Sequence, residues 1–528
     1  MRMESLALEF YTDKTRKKYS INPLDQDIRD EINLELVNIT IGSNGVASDG
    51  NPQVADIELP RMNYFRHRQT NRGDYFLSGD SGNWTLVSAS EYESILAEDF
   101  SDALRQKLEK SFILLTENNL ETYIDKIKIK YGFLTEGPTL HIIVVTSKCN
   151  LTCVYCQASS PTSIQRNMEI TTAMKTVDKI FESPSDSYII EFQGGEPLMN
   201  YETVKSIINY AESKAEKEHK RVEFSLITNF TRTATKEKLK FLIEHNVSVC
   251  FSLDGPRELH ESNRGAGYQN AFDVLLRTLE SYKTIWKSLK EEPPELAALV
   301  TTTSQSLPKH KEIIDTYLDL GLNKISIRPL SPLGIASENT DEIGYTSEEF
   351  MVYWKKSIEY ILKLRSQGIE IVDFYLELLL TKIFGNESGF MDLRSPCGAS
   401  YGQITYNYDG TVASCDEGRM IDSDLFKIGE VSQHPLDKIL SSEKTQKIFE
   451  ASIIEQYYCD YCAFKPYCGV CPVLHQEQSG SMNMNVLESD HCKIFYDMYT
   501  YITELYMYDP KMREILDDIL LEINWQKI

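Results

Sequence analysis

From about residue 140 the chain alternates short β-rich runs with amphipathic stretches, and no other feature restricts its fold as strongly. The β-rich runs are LHIIVVTS, YIIEFQGG, VEFSLITN, VSVCFSLDG, ELAALVTTT and KISIRPL. Between them lie segments such as TTAMKTVDKIFES, YETVKSIINYAESKAEK, TKEKLKFLIEHN and HKEIIDTYLDLG. Six βα units of this kind describe a parallel sheet, and near-continuous apolar strands fit one covered by helices on its outer face. The pattern predicts an α/β fold and leaves two forms open, a doubly wound sheet or a barrel.

The first run leads directly into TSKCNLTCVYC, which sets Cys149, Cys153 and Cys156 in a C-x3-C-x2-C spacing. Three thiolates on a short loop can hold three irons of a 4Fe-4S cube and leave the fourth iron open. Zinc fits poorly, because its structural sites use C-x2-C pairs separated by roughly 15 to 20 residues, or add histidines. No His lies inside the triplet. Three unrelated structural thiols are the plainer alternative. A second block comprises Cys397, Cys415, Cys459, Cys462, Cys468, Cys471 and Cys492, more thiolates than one site needs. Cys250 lies within a β-rich run and reads as a core thiol.

A chain of 528 residues has room for about two to four domains. Its net charge of −24 argues against nucleic acid or an anionic membrane as main partner, since both are bound through Lys and Arg. The N-terminus lacks an apolar signal region and no run approaches the ~18 apolar residues of a membrane span. A cytoplasmic location is expected, with the eleven cysteines serving metal chemistry in a reducing compartment. Residues 1–62 form a polar N-terminal extension with no assignable role. In the following stretch, GDYFLSGDSGNWTLVS predicts a β-hairpin, and SASEYESIL and FSDALRQKLEKS predict helices. Strands followed by helices in so small a unit suggest a winged-helix-like module, either a peptide-recognition domain or a packing domain.

The cysteine triplet with Tyr155 before its last member, followed by Gly194, Gly195, Glu196 and Pro197 after the second strand, resembles the radical S-adenosylmethionine enzymes. The resemblance implies a partial (β/α)6 TIM-type barrel, with the cysteine loop at the C-terminal end of its first strand. It further implies S-adenosylmethionine on the open iron, cleaved to a 5'-deoxyadenosyl radical that abstracts hydrogen from an unactivated carbon. Cofactor-binding positions carried over are Tyr155, Gly194, Gly195, Glu196, Thr228, Asn229, Ser252 and Arg264. Of these, the GGEP run would take the amino group, Thr228, Asn229 and Ser252 would face ribose and carboxylate, and Arg264 would pair with that carboxylate. On the residues alone Arg264 could be a surface guanidinium, and Asp254 only a turn residue in SLDGP.

The second cysteine block, with its Gly410-x4-Cys415 ending, resembles the SPASM domain of peptide-modifying radical enzymes, which holds two auxiliary 4Fe-4S clusters. By that resemblance Cys459, Cys462, Cys468 and Cys492 would complete one cluster, and Cys397, Cys415 and Cys471 would give the other three thiolates. The pattern departs once: only Gly469 and Val470 separate the last close pair, where three residues are usual. Asp416 occupies the place where the sulfatase-maturing branch carries a catalytic base. The alternative is that Asp416 and Glu417 pair with Arg419.

Longer strings, among them EFQGGEPLMN, SLDGPRELHESNR, IRPLSPLG, DLRSPCGASYGQ and KPYCGVCPV, resemble the B-type radical maturase of His-Xaa-Ser peptide systems. The domain order then expected is an extension (1–62), a winged-helix-like leader-recognition domain (63–133), the radical barrel (134–365) and a bridging segment (366–396). A SPASM domain with two auxiliary clusters (397–496) and a C-terminal helical segment (497–528) complete it. Implied partners are a precursor peptide, a reductant such as flavodoxin or ferredoxin, and a companion radical maturase. A sulfatase-type maturase making formylglycine is the alternative within the enzyme class. An iron-sulfur electron-transfer protein or a zinc-stabilised interaction module would need the cysteines but not the polar strand ends.

Overall fold

The computed structural model of the chain describes residues 6–12, 15–21, 59–159, 165–265, 270–292, 294, 296–385, 391, 393–454 and 457–525. Of the N-terminal extension it describes only β1 (Leu6–Thr12), β2 (Thr15–Ile21), which pair antiparallel, and residues 59–62; the rest lies outside the described residues. The chain forms two compact units. One combines residues 1–137, 380–401 and 449–471; the other combines 138–379, 402–448 and 472–528.

In the first unit β3 (Arg61–Met62) precedes an antiparallel meander of β4 (Phe65–Gln69), β5 (Tyr75–Gly79) and β6 (Trp84–Val87). The expected hairpin is β5–β6, and Gly82 supplies the positive φ of +85° that its turn requires. Helices Ala89–Leu96 and Asp102–Lys110 follow, then β7 (Leu114–Leu115), which pairs with β3, and helix Leu120–Tyr131. Ser88 and Glu91 form a capping box that starts the first helix. Leu77, Val87, Ile95, Leu104 and Leu108 build a small core between meander and helices. The meander also holds the cysteine-bearing loop near the end of this unit. Ser78 Oγ donates to Ala463 O at 2.6 Å, Tyr467 Oη donates to Gly82 O at 2.9 Å, and the rings of Phe76 and Phe464 lie 5.9 Å apart.

The second unit is organised on one ten-stranded sheet. Its strands are β8 (Leu140–Thr146), β9 (Ser187–Gly194), β10 (Arg221–Thr228), β11 (Ser248–Ser252), β12 (Ala297–Thr301), β13 (Lys324–Arg328) and β14 (Val372–Asp373), all parallel. These seven lie side by side in sequence order. A doubly wound sheet reverses its strand order at a switch point; β8 to β14 run in one direction without a reversal, which fits the partial barrel of the two forms left open by the sequence. On the far side of β8, β15 (Gln403–Tyr406) adds in parallel, and β16 (Thr411–Ala413) and β17 (Lys427–Glu430) continue antiparallel.

Burial follows the sequence pattern. In β9, Tyr188, Ile190 and Phe192 are fully buried on one face, and Glu191 and Gln193 alternate with them on the other. Helix Tyr201–Glu218 buries Val204, Ile207, Ile208, Ala211 and Ala215, one stripe at helical spacing, and ends where His219 takes a left-handed φ of 57°. The amphipathic C-terminal segment forms helix Pro510–Trp525. Among the described residues no helix is long and apolar enough to cross a membrane.

Candidate functional site

The C-terminal ends of β8 to β13 surround a cavity of about 320 Å³. Cys149, Cys153 and Cys156 line it from the loop after β8, with Tyr155 beside them. Gly194 and Gly195 line it at the end of β9, and Thr228, Asn229, Ser252 and Arg264 lie along the following strand ends. The glycines are needed because two stretches of backbone meet there. A Cβ on Gly194, whose φ is +148°, would fall 2.2 Å from Thr146 O, and one on Gly195 would fall 2.2 Å from Lys148 O. Gly195 N donates to Thr146 O at 2.9 Å and Glu196 N to Lys148 O at 2.7 Å, so the GGE turn stitches the root of the cysteine loop to β9.

Further contacts fix the rest of that loop. Asn229 Nδ2 donates to Asn150 Oδ1 at 2.9 Å, Asn150 Nδ2 to Thr231 Oγ1 at 2.9 Å, and Val154 N to Asn263 O at 3.0 Å. Tyr155 Oη donates to Asp254 Oδ2 at 2.5 Å, and Arg264 forms a fork on the same carboxylate at 3.1 and 3.2 Å. Burial pushes the Tyr155 hydroxyl far above its usual range, so it remains a donor. Arg264 is 7% exposed and Asp254 fully buried; neither behaves as the surface guanidinium or free turn residue that the sequence allowed.

Glu196 does not line the cavity. It is fully buried, and its carboxylate accepts from Thr228 Oγ1 at 2.9 and 3.0 Å, Asn229 N at 2.8 Å and Leu198 N at 3.1 Å. Burial raises its pKa and these hydrogen bonds oppose the rise. The carboxylate is thereby a clasp between the ends of β9 and β10.

The cavity wall also carries polar residues beyond the cysteine and glycine motifs. Glu191 accepts from Gln193 Nε2 at 2.7 Å and Ser225 Oγ at 3.0 Å. Arg419 donates to Gln193 Oε1 at 2.9 Å and to Asp416 Oδ1 at 2.8 Å. Asp416 lines the cavity and also forms the ion pair with Arg419. Burial first, and the nearby charge of Asp416, raise the Glu191 carboxyl, opposed by its hydrogen bonds from Gln193 and Ser225 and by the charge of Arg419. Arg328 completes this wall from the end of β13.

Three thiols open on this one cavity. Burial pushes Cys149 up to about 11 and Cys153 up to about 12, so free thiolates are disfavoured there and a bound cationic centre would be needed to hold them ionised. Among the described residues no three His, Cys, Asp or Glu groups close on a single metal ion.

The second cysteine block divides between the units: Cys397, Cys459, Cys462, Cys468 and Cys471 in the first, Cys415 and Cys492 in the second. None of the eleven cysteines, all among the described residues, forms a disulfide. Cys415 Sγ accepts from Gly418 N at 3.3 Å, and Cys397 N donates to Ser452 Oγ at 3.1 Å. Burial raises the Cys462 thiol, opposed by a backbone N–H and by the charges of Arg66 and Arg68 in β4.

Residues 143–286 match the family model of the Radical SAM superfamily, and residues 397–471 match SPASM, an iron-sulfur cluster-binding domain. The chain is 23% identical over 431 residues to radical SAM cyclopropyl synthase TigE of Paramaledivibacter caminithermalis, covering 77% of this chain and 83% of that protein. It is 25% identical over 334 residues to a cysteine-type anaerobic sulfatase-maturating enzyme of Clostridium novyi, covering 61% of this chain and 84% of the relative. Native anSMEcpe with bound AdoMet superposes with a TM-score of 0.60 at 19% identity, covering 72% of this chain and 100% of the other. Streptococcus suis SuiB bound to precursor peptide SuiA superposes at 0.50 and 12% identity, covering 80% and 98%. At such identities the structural likeness establishes the fold.

Proposed function

We propose that this chain, which carries a radical SAM domain and a SPASM domain, modifies a ribosomally made precursor peptide by hydrogen abstraction, forming a cross-link or an oxidised side chain. These domains imply S-adenosylmethionine and 4Fe-4S clusters, which when bound supply a 5'-deoxyadenosyl radical. The observation that carries the reading is the sharing of one cavity by Cys149, Cys153 and Cys156 with Gly194, Gly195, Thr228, Asn229, Ser252 and Arg264. In it the three cysteines would hold the cluster, the GGEP turn would take the cofactor's amino group, and the strand-end polar groups would orient ribose and carboxylate. Buried Glu196 keeps the turn in place. Asp416 would take a proton from the substrate radical, and an auxiliary cluster, when bound, would supply the electron acceptor.

In the same reading Cys459, Cys462, Cys468 and Cys492 hold one auxiliary cluster and Cys397, Cys415 and Cys471 the other, for three clusters in all. Residues 63–133 recruit the leader as an added strand, 134–365 form the barrel and 397–496 the SPASM domain. The subtype proposed is the B-type maturase of His-Xaa-Ser systems, working in the cytoplasm with a reductant such as flavodoxin or ferredoxin and a companion maturase. Likeness to sulfatase-maturating enzymes supports formylglycine formation as a second reading. Anaerobic reconstitution tests the core of the proposal: about 12 irons per chain and reductive release of 5'-deoxyadenosine are expected. Stoichiometric zinc with little iron would reject it.

A further inference from the structure

Asp254 is a fully buried carboxylate that does not itself line the cavity but is bonded to three residues that do. Its Oδ2 accepts from Tyr155 Oη at 2.5 Å and Arg264 Nε at 3.1 Å. Its Oδ1 accepts from Arg264 Nη2 at 3.2 Å and Thr301 N at 3.3 Å. A carboxylate offers about four acceptor positions, and here all are taken by protein. Asp254 therefore has no free acceptor position left for a ligand.

Its partners belong to three elements that face the cavity, the cysteine loop, the helix Arg257–Arg264 and the end of β12. Tyr155 stands between Cys153 and Cys156, and the neighbouring Val154 N donates to Asn263 O at 3.0 Å, one residue before Arg264. Arg264 presents its Nε and Nη2 to Asp254, lies 5.2 Å from the centre of the Tyr155 ring and lines the cavity, so Nη1 stays outside the fork on Asp254. A planar fork held on one edge by a carboxylate has its other edge aimed without further cost in side-chain entropy.

We propose that Asp254 is a positioning residue with two outputs: it aims Arg264 at the carboxylate of S-adenosylmethionine, and through Tyr155 it pins the middle of the cysteine loop. The first output rests on the proposed cofactor reading of the cavity.

The test compares S-adenosylmethionine with its decarboxylated analogue. Binding to the reconstituted protein is followed by calorimetry and by the perturbation of the reduced cluster's paramagnetic resonance signal. The wild type should prefer the carboxylate-bearing compound. Asp254→Asn should reduce that preference by about tenfold, the scale of one charge-assisted hydrogen bond, while changing affinity for the analogue by less than about twofold. A merely structural role would weaken both compounds in parallel, and an unchanged preference ratio would overturn the first output. Should Asp254→Asn fail to fold, Arg264→Lys keeps the charge and Asp254 but cannot form the fork, and the same loss of preference is expected; a wild-type ratio there overturns it equally. Amide exchange in the iron-free protein addresses the second output. Tyr155→Phe should speed exchange at residues 151–156, and wild-type protection would refute the pinning. A wild-type protein that binds neither compound would instead reject the cofactor reading, and with it the aiming of Arg264, leaving the exchange result to judge the loop.

Discussion

Asp416→Asn keeps the volume of the side chain and removes its negative charge, but in this chain it also strands a cation. Arg419 donates to Asp416 at 2.8 Å, and the two side chains are 7% and 18% exposed respectively. Removing one member of a buried ion pair costs about 3–5 kcal/mol. Three features lower that figure here. Asp416 retains some solvent contact, Arg419 retains its bond to Gln193 Oε1 at 2.9 Å, and the new amide oxygen can still accept. A neutral acceptor is roughly half as strong as a charged one, so a loss of about 1–2 kcal/mol is expected, seen as a fall of about a few degrees in thermal midpoint. The catalytic effect should be larger. With precursor deuterated at the modified carbon, the variant should still form 5'-deoxyadenosine and carry deuterium into it, while product falls by about 100-fold, the scale of a lost general base. Arg419→Gln is the control, because it removes the cation and leaves the carboxylate. An ion pair with only a structural role makes the two variants alike; a base leaves Arg419→Gln competent and Asp416→Asn deficient. Product at the wild-type rate in Asp416→Asn, or equal losses in both variants, would refute the assignment.

Replacing Cys149, Cys153 and Cys156 together by Ala should abolish cofactor cleavage and leave about 8 of about 12 irons; undiminished cleavage would show that another cluster does the chemistry. Gly195→Ala would push a methyl to 2.2 Å from Lys148 O, so the cysteine loop must shift and cofactor cleavage should be lost while the auxiliary iron remains, which iron analysis beside the cleavage assay can establish. Ser78→Ala combined with Tyr467→Phe leaves the carbonyl oxygens of Ala463 and Gly82 without these donors, at about 1–3 kcal/mol each. This double variant should bind about four fewer irons than the wild type; a full complement would mean that the meander does not support the loop. Asp373 is fully buried, and burial lifts its carboxyl to about 7 despite hydrogen bonds from Ile327 N, Leu376 N and Trp354 Nε1. A raised carboxyl favours folding while it is protonated, so its contribution is complete near pH 4 and is lost as pH rises to about 7. The unfolding free energy of the wild type relative to Asp373→Asn should fall across that interval and level off above it, and a difference independent of pH would contradict the assignment.

The barrel can be read from the sequence because each strand keeps one apolar face against its helices, as Tyr188, Ile190 and Phe192 do in β9. The same alternation contains the signal for Glu191 and Gln193, polar residues at every second position of an otherwise apolar parallel strand, and a motif search passes over them. Arg328, at the end of β13, carries the same kind of signal. Other parts of the site are not encoded locally. Asp-Gly-Pro is turn chemistry wherever it occurs, and Asp254 differs from an ordinary turn residue only because Tyr155, 99 positions away, and Arg264 converge on it. Glu196 shows the converse case. Its motif signals a carboxylate near a ligand, while Thr228 and the Asn229 amide, 32 and 33 positions away, occupy its oxygens.

The first compact unit bears on how peptide recognition can be measured. It joins three separated stretches of chain, and bonds such as Ser78 to Ala463 span 385 positions. Motif reading divides the chain into consecutive blocks and so separates the N-terminal meander from the cysteine loop that it packs against. Deleting residues 63–118 would remove Ser78, Gly82 and Phe76 together, the partners of Ala463, Tyr467 and Phe464. Weaker precursor binding in that truncation could then come from a damaged loop between Cys462 and Cys468 as readily as from a lost docking edge. Substitutions on solvent-facing positions of β4, such as His67, leave those three contacts in place. If the meander docks the leader as an added strand, such changes should weaken precursor binding at full iron content. Iron loss in parallel with affinity would mean that the meander acts on the loop and not on the peptide.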